Sequence, residues 1–232
     1  MLRILLIYFP MYIGVSMIVL NLKSYEKSFS KALYFVDVVS EVVEETGARI
    51  IVCPPTPFLK DAAERYGQIF AQHVDATSFG SYTGWLPAEA LKSIKVKGSL
   101  VNHSEHKLKF DDVKIVVDLL HKNTLESMVC AADVAEAEKI AHLSPTYIAV
   151  EPPELIGSGK SVSKEKPELV SNSVKKIKSV NDKVSVLCGA GVSNKKDVEK
   201  ALQLGSDGVL LASAFVNSAD PKKFLQELVS AF

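Results

Sequence analysis

The chain has 232 residues, 47% hydrophobic and 23% charged, enough to bury a core as one large domain or two small ones. Lysine plus arginine and aspartate plus glutamate balance at 27 each, so no basic excess points to nucleic acid and no acidic excess to a disordered tail. Three cysteines, Cys53, Cys130 and Cys188, lack CxxC spacing and sit at or near the ends of apolar runs, which fits reduced, buried thiols in a cytosolic protein better than disulfides or zinc ligands.

At the N-terminus an uncharged run from Ile4 to Leu20 follows Arg3, and Gly14-Val15-Ser16 has the small-x-small form of a cleavage site. A membrane-spanning helix needs about 20 apolar residues, and Pro10 and Gly14 interrupt this stretch. Met17 directly precedes Ile18-Val19-Leu20-Asn21, a complete first strand in its own right. Residues 1–16 are therefore expected to be an extension outside the fold, with 17–232 as a single domain; a signal peptide is the alternative.

From there one pattern recurs. Apolar runs rich in Val, Ile and Leu cover 18–22, 49–53, 68–73, 99–103, 125–130, 147–151, 184–189 and 208–211. They do not alternate strictly, as strands covered on both faces should not. Helical spacing of apolar residues is clearest over 33–46, 111–122, 133–143, 167–180 and 194–204. Pro57, Pro87 and Pro167 mark helix entries, and Gly47 and Gly205 mark helix ends. Eight strands alternating with helices in this length indicate an α/β fold of the (β/α)8 barrel type. A doubly wound open sheet is weakened by the lack of G-x-G-x-x-G after the first strand.

Barrel enzymes place their chemistry at the C-terminal ends of the strands. Here those ends carry Asn21-Leu22-Lys23, Asn102-His103-Ser104-Glu105, Glu151, Gly189-Ala190-Gly191 and Leu211-Ala212-Ser213. A cation, an imidazole and a carboxylate would share one mouth with two loops of small residues able to offer backbone N–H groups to a phosphate. Pro152 biases Glu151 toward an extended backbone. Residues 152–160, with stiff prolines, an apolar Leu155-Ile156 tip and glycines at 157 and 159, have the parts of a lid rooted at that carboxylate. Taken singly, each feature has a plainer explanation: Asn21 and Lys23 as solvated surface, His103 as a structural histidine, Glu151 as an ion-pair partner, the glycine run as a turn. Their joint order along one barrel favours an active site.

In this arrangement the chain resembles the triosephosphate isomerase family, and Asn-His-Ser-Glu with Glu-Pro-Pro-Glu-Leu-Ile-Gly resembles its archaeal branch. The resemblance covers Met17 to Phe232 and implies interconversion of dihydroxyacetone phosphate and glyceraldehyde 3-phosphate, without metal or organic cofactor. In that family's well-studied mechanism a glutamate moves a proton between two carbons beside a neutral imidazole. The resemblance assigns the base to Glu151, carbonyl polarisation to His103, positive charge to Lys23 and a hydrogen bond to Asn21. It puts Glu105 behind Lys23 and has Ser104 hold Glu151 while the lid is open. Phosphate would meet Ile156, Gly157, Gly189, Ala190, Gly191, Ala212 and Ser213. The segment 75–85, with Tyr82, Thr83 and Gly84, resembles the family's interface loop and implies a homodimer or homotetramer.

The chain also departs from the family pattern. Cys188-Gly189-Ala190-Gly191 carries no hydroxyl where the usual Tyr-Gly-Gly-Ser latches the lid, so closure would need backbone N–H groups or Ser193. Ala212-Ser213 replaces a double glycine, Leu22 an aromatic, and His106-Lys107 other basic residues; Trp85 stands where a polar residue is usual. His73, His106, His121 and His142 show no metal-like spacing, and Cys130 reads as a buried spacer. Two rivals remain: another phosphosugar enzyme on the same barrel, and a barrel kept as a scaffold. No lysine lies on the sixth strand to support an aldolase, and the four chemical groups together argue against a scaffold.

Overall fold

The computed structural model describes residues 16–155 and 161–232. The expected extension over 1–16 lies, apart from Ser16, outside the described residues. The strands are β1 (Met17–Asn21), β2 (Arg49–Cys53), β3 (Phe70–Ala71), β4 (Gly98–Val101), β5 (Glu126–Ala131), β6 (Tyr147–Val150), β7 (Ser185–Cys188) and β8 (Gly208–Leu211). All pairings are parallel, in the order β2-β1-β8-β7-β6-β5-β4-β3. A single bridge, Val52 to Ile69, brings β2 back to the segment leading into β3 and closes the ring. The barrel inferred from the run spacing is the fold observed.

The helices are α1 (Glu26–Thr46), α2 (Leu59–Arg65), α3 (Ala88–Ser93), α4 (Phe110–Lys122), α5 (Val134–Ala141), α6 (Val162–Glu165), α7 (Pro167–Val180), α8 (Lys195–Gln203), α9 (Ser213–Val216) and α10 (Pro221–Val229). Gly47 closes α1 in the left-handed conformation, φ 69°, its N–H donating to the carbonyl of Val43. Pro167 opens α7, while Pro87 stands one residue before α3. Asp133 and Asn194 cap α5 and α8 by accepting the N–H groups of Glu136 and Asp197. No helix among the described residues is long and apolar enough to cross a membrane.

Strand alternation explains why the runs look uniformly apolar. Met17, Val19, Ile51, Phe70, Met128 and Leu187 point into the barrel and pack together. Ile18, Leu20, Ile50, Val52, Ile148 and Val186 point outward into the layer shared with the helices. Both faces of each strand are dry, so both must be apolar.

The interior is sealed at the N-terminal end by polar groups. Arg49, Glu126 and Tyr147 are the first residues of β2, β5 and β6. The Arg49 guanidinium donates to the Tyr147 hydroxyl, which in turn donates to Glu126, and Arg49 lies 3.5 Å from the same carboxylate. Burial, then the Glu126 charge, pushes the Tyr147 phenol up, so it stays a proton donor. A charge inserted into an apolar tube is tolerable only when paired in this way.

Candidate active site

The opposite rim collects the groups expected to react. Lys23 follows β1 with φ +51°, a left-handed conformation that costs a non-glycine residue on the order of 1 kcal/mol. Three bonds hold it there. Its N–H donates to Asn21 Oδ1 at 3.0 Å, Gln72 Nε2 donates to its carbonyl at 3.2 Å, and its ammonium meets Glu105 Oε1 at 2.6 Å. The side chain of Lys23 is only 11% exposed, whereas that of Glu105 is 55% exposed, so the cation is directed inward by an anion that remains in water.

His103 follows β4 after Asn102, which is itself left-handed at φ +61°. Asn102 is fixed by donating to the Cys130 carbonyl at 2.9 Å and to Glu136 Oε1 at 3.0 Å, and by accepting Leu108 N–H at 3.1 Å. Burial alone would raise Glu136, but Lys107, the Ala132 N–H and Asn102 together hold it below the usual carboxylate range. The N–H of Glu105 donates to His103 Nδ1 at 3.2 Å. That bond requires a lone pair on Nδ1, which leaves the ring hydrogen on Nε2. Nε2 in turn faces Glu151 Oε2 at 3.6 Å.

Glu151 directly follows β6 with its carboxylate buried, 2% exposed. Its backbone N–H still joins the ladder through Ala131, yet Oε2 accepts no hydrogen bond. Burial raises its pKa above the usual carboxylate value, opposed by His103, by a bond from the Cys130 thiol and by Lys23. The space it occupies exists because residue 189 is glycine. A Cβ there would lie 2.4 Å from Glu151 Cγ and 3.0 Å from Cδ.

A single pocket joins these groups. Lys23, His103 and Glu151 line it together with Gly189–Ser193 and Leu211–Ala214. Backbone N–H groups beside small side chains suit a phosphate. The structure thus gathers Lys23, His103, Glu151, Gly189, Ala190, Gly191, Ala212 and Ser213 around one mouth. Asn21 does not line it; its side chain sits beneath, pinning Lys23. Among the bonds of the described residues none joins Ser104 to Glu151, whose Oε2 lies 3.6 Å from His103 Nε2. Ile156 and Gly157 lie outside the described residues.

Tyr25, Val192, Leu210 and Ala214, which carry no motif in the sequence, also line the pocket, as does Ser193. Tyr25 directly precedes α1, and reading that helix from residue 33 hid it. Ser193 was considered only as a latch; its hydroxyl and its N–H are instead both committed to Asp197. Among the exposed large side chains, Phe79, Tyr82 and Trp85 are 69%, 50% and 52% exposed. Tyr82 and Trp85 pack ring to ring at 5.7 Å on the loop after β3.

Comparison with known proteins agrees with this geometry. The family model described as triosephosphate isomerase matches residues 16–231. The triosephosphate isomerase of Methanothermus fervidus is 46% identical over 215 residues, covering 92% of this chain and 97% of that protein. Those of Archaeoglobus fulgidus, 43% over 217 residues, and Methanocaldococcus jannaschii, 41% over 215, cover 93% and 92% of this chain and 97% and 98% of their own lengths.

Proposed function

From the premise that this chain belongs to the triosephosphate isomerase family, we propose that Glu151, His103, Lys23 and Asn21 carry the interconversion of dihydroxyacetone phosphate and glyceraldehyde 3-phosphate. The chain is an isomerase of that reaction, one step of glycolysis and gluconeogenesis. Glu151 takes a proton from the carbon beside the substrate carbonyl, and the carbonyl oxygen gains charge as an enediolate. His103 Nε2–H donates to that oxygen, and the Lys23 ammonium offsets the charge. Glu151 then returns the proton to the neighbouring carbon while the hydroxyl proton passes from one oxygen to the other at His103 Nε2, so the carbonyl changes place and no atom is gained or lost. Asn21 acts from below by holding Lys23 in its strained backbone conformation.

One observation carries this reading: a buried carboxylate oxygen without a hydrogen bond, 3.6 Å from the imidazole nitrogen that bears the ring hydrogen. An anion left short of partners is a stronger base than a satisfied one. The tautomer matters because a neutral Nε2–H donates without surrendering its proton outright, as in the family's own mechanism. Phosphate would rest on the N–H groups of Gly191, Val192 and residues 212–214, beside Gly189 and Ala190, with Ile156 and Gly157 closing over it. The protein works in the cytoplasm without a cofactor as a homodimer or homotetramer; the exposed Phe79, Tyr82 and Trp85, flanking Thr83 and Gly84, support a buried position for that loop.

A coupled assay in both directions tests the reading. Wild-type protein should turn over both triose phosphates, and Glu151→Gln should lose about a thousandfold in kcat while inorganic phosphate still binds. Near-normal turnover by that variant would refute Glu151 as the base.

A further inference from the structure

The rim beside the phosphate loop holds a second buried carboxylate that the mechanism does not use. Asp197, on the first turn of α8, is 1% exposed. Its Oδ2 accepts both the N–H and the hydroxyl of Ser193, at 2.9 and 3.0 Å. Its Oδ1 lies 2.6 Å from Lys164 Nζ, a close ion contact without the alignment of a hydrogen bond. Lys164 belongs to α6, at the C-terminal foot of the segment that begins with Glu151.

The same two elements are tied twice more. Ser163 Oγ donates to the Asp197 carbonyl at 3.3 Å and shares a bond with Ser161 Oγ at 2.8 Å. Val162 N–H donates to the Ala190 carbonyl at 3.1 Å, directly inside the phosphate-facing run. The Cys188 thiol, pushed up to about 12 mainly by burial, also accepts from the N–H groups of Ala190 and Ser163. One carboxylate therefore stands at the junction of the β7–α8 loop and α6.

We infer that Asp197 is a positioning residue for the isomerisation: by holding Ser193 it sets the course of the 189–193 backbone so that the N–H groups of Gly191 and Val192 face the substrate phosphate, and it binds that backbone to α6. This rests on the proposed assignment of residues 189–193 to the phosphate. A fully buried carboxylate is costly in an otherwise apolar layer, and Lys164, about half exposed, offsets only part of that cost. Its partners specify a geometry that an apolar side chain of the same volume could not.

The test compares Asp197→Asn with wild type by steady-state kinetics, with inorganic phosphate as competitive inhibitor and thermal melts alongside. Asparagine keeps the shape but presents a donor where an acceptor is needed. KM and the phosphate inhibition constant should each rise about tenfold, with kcat changed less than threefold, because phosphate binding and not proton transfer is disturbed. An unchanged KM and phosphate constant in a variant that merely melts lower would overturn the inference. Should Asp197→Asn not fold, Lys164→Met and Ser193→Ala each remove one partner, and their KM values should rise about two- to threefold. Unaltered KM in both would overturn it equally. Failure of the base assignment is separate: Glu151→Gln would then be active whatever residue 197 is.

Discussion

At the N-terminal end of the barrel, Arg49, Glu126 and Tyr147 satisfy one another around the axis. At the C-terminal end, on the same β2, β5 and β6 walls and their neighbours, Glu151 Oε2 accepts nothing and Lys23 and Asn102 hold left-handed backbones. One end spends its polar groups on closure, and the other leaves the Glu151 Oε2 oxygen short of a partner. The difference shows where this chain trades stability for reactivity: an unsatisfied, desolvated anion is poor for folding and good for abstracting a proton.

That contrast can be broken from either end. The largest effect is expected from Glu151→Gln, where the thousandfold loss of turnover should come with a thermal midpoint no lower than wild type, because a buried charge has gone. A clear fall in the midpoint would mean that the catalytic rim is as structural as the other end. Next comes Gly189→Ala. Its methyl group claims space held by Glu151 Cγ, so kcat should fall about a hundredfold as the carboxylate is displaced, with a smaller change in KM. An active Gly189→Ala enzyme would show that the position of the base is loosely held.

At the other end, Tyr147→Phe removes the hydroxyl joining Arg49 to Glu126. Stability should drop by about 1–3 kcal/mol in denaturant melts while kcat/KM stays within about twofold. A large rate effect there would erase the division between the two rims. The smallest effect concerns pH. Burial raises the Glu151 pKa, so the folded protein holds that proton more tightly than the unfolded chain. Its contribution to stability is present at acid pH and is lost as pH rises through the folded value. The thermal midpoint of Glu151→Gln should therefore gain on wild type as pH rises above the ordinary glutamate value, and the acid limb of kcat/KM should lie above that value. Parallel melting curves at all pH values would show that Glu151 is not strained.

Much of this was legible in the residues. Strands were readable because dryness on both faces leaves uninterrupted apolar runs, as in 49–53. The chemical groups were readable because they cluster at strand ends. The exceptions have local causes. The run 68–73 yields only Phe70–Ala71 as strand, since Gln72 turns aside to donate to the carbonyls of Cys53 and Lys23. Helix α1 begins at Glu26, earlier than the apolar spacing suggests, because its polar first turn is secured by Ser28 donating to Leu22, with a break at Lys31. The role of Asn102 within its motif, and Asp197 altogether, are not legible in the sequence, because the Asn102 bond to the Cys130 carbonyl and the Asp197 contacts with Ser163 and Lys164 join residues far apart along the chain. Gly189 announced a turn; that its absent side chain makes room for Glu151 is visible only in three dimensions.

The single bridge between Val52 and Ile69 makes the β2–β3 joint the thinnest in the ring. In a circle of eight strands, the point diametrically across from it is the β6–β7 pair, which carries Glu151 and Gly189. An opening of that joint would part the wall farthest from the base, and Gln72, donating to the carbonyls of Lys23 and Cys53, ties the chain together between the joint and the catalytic mouth.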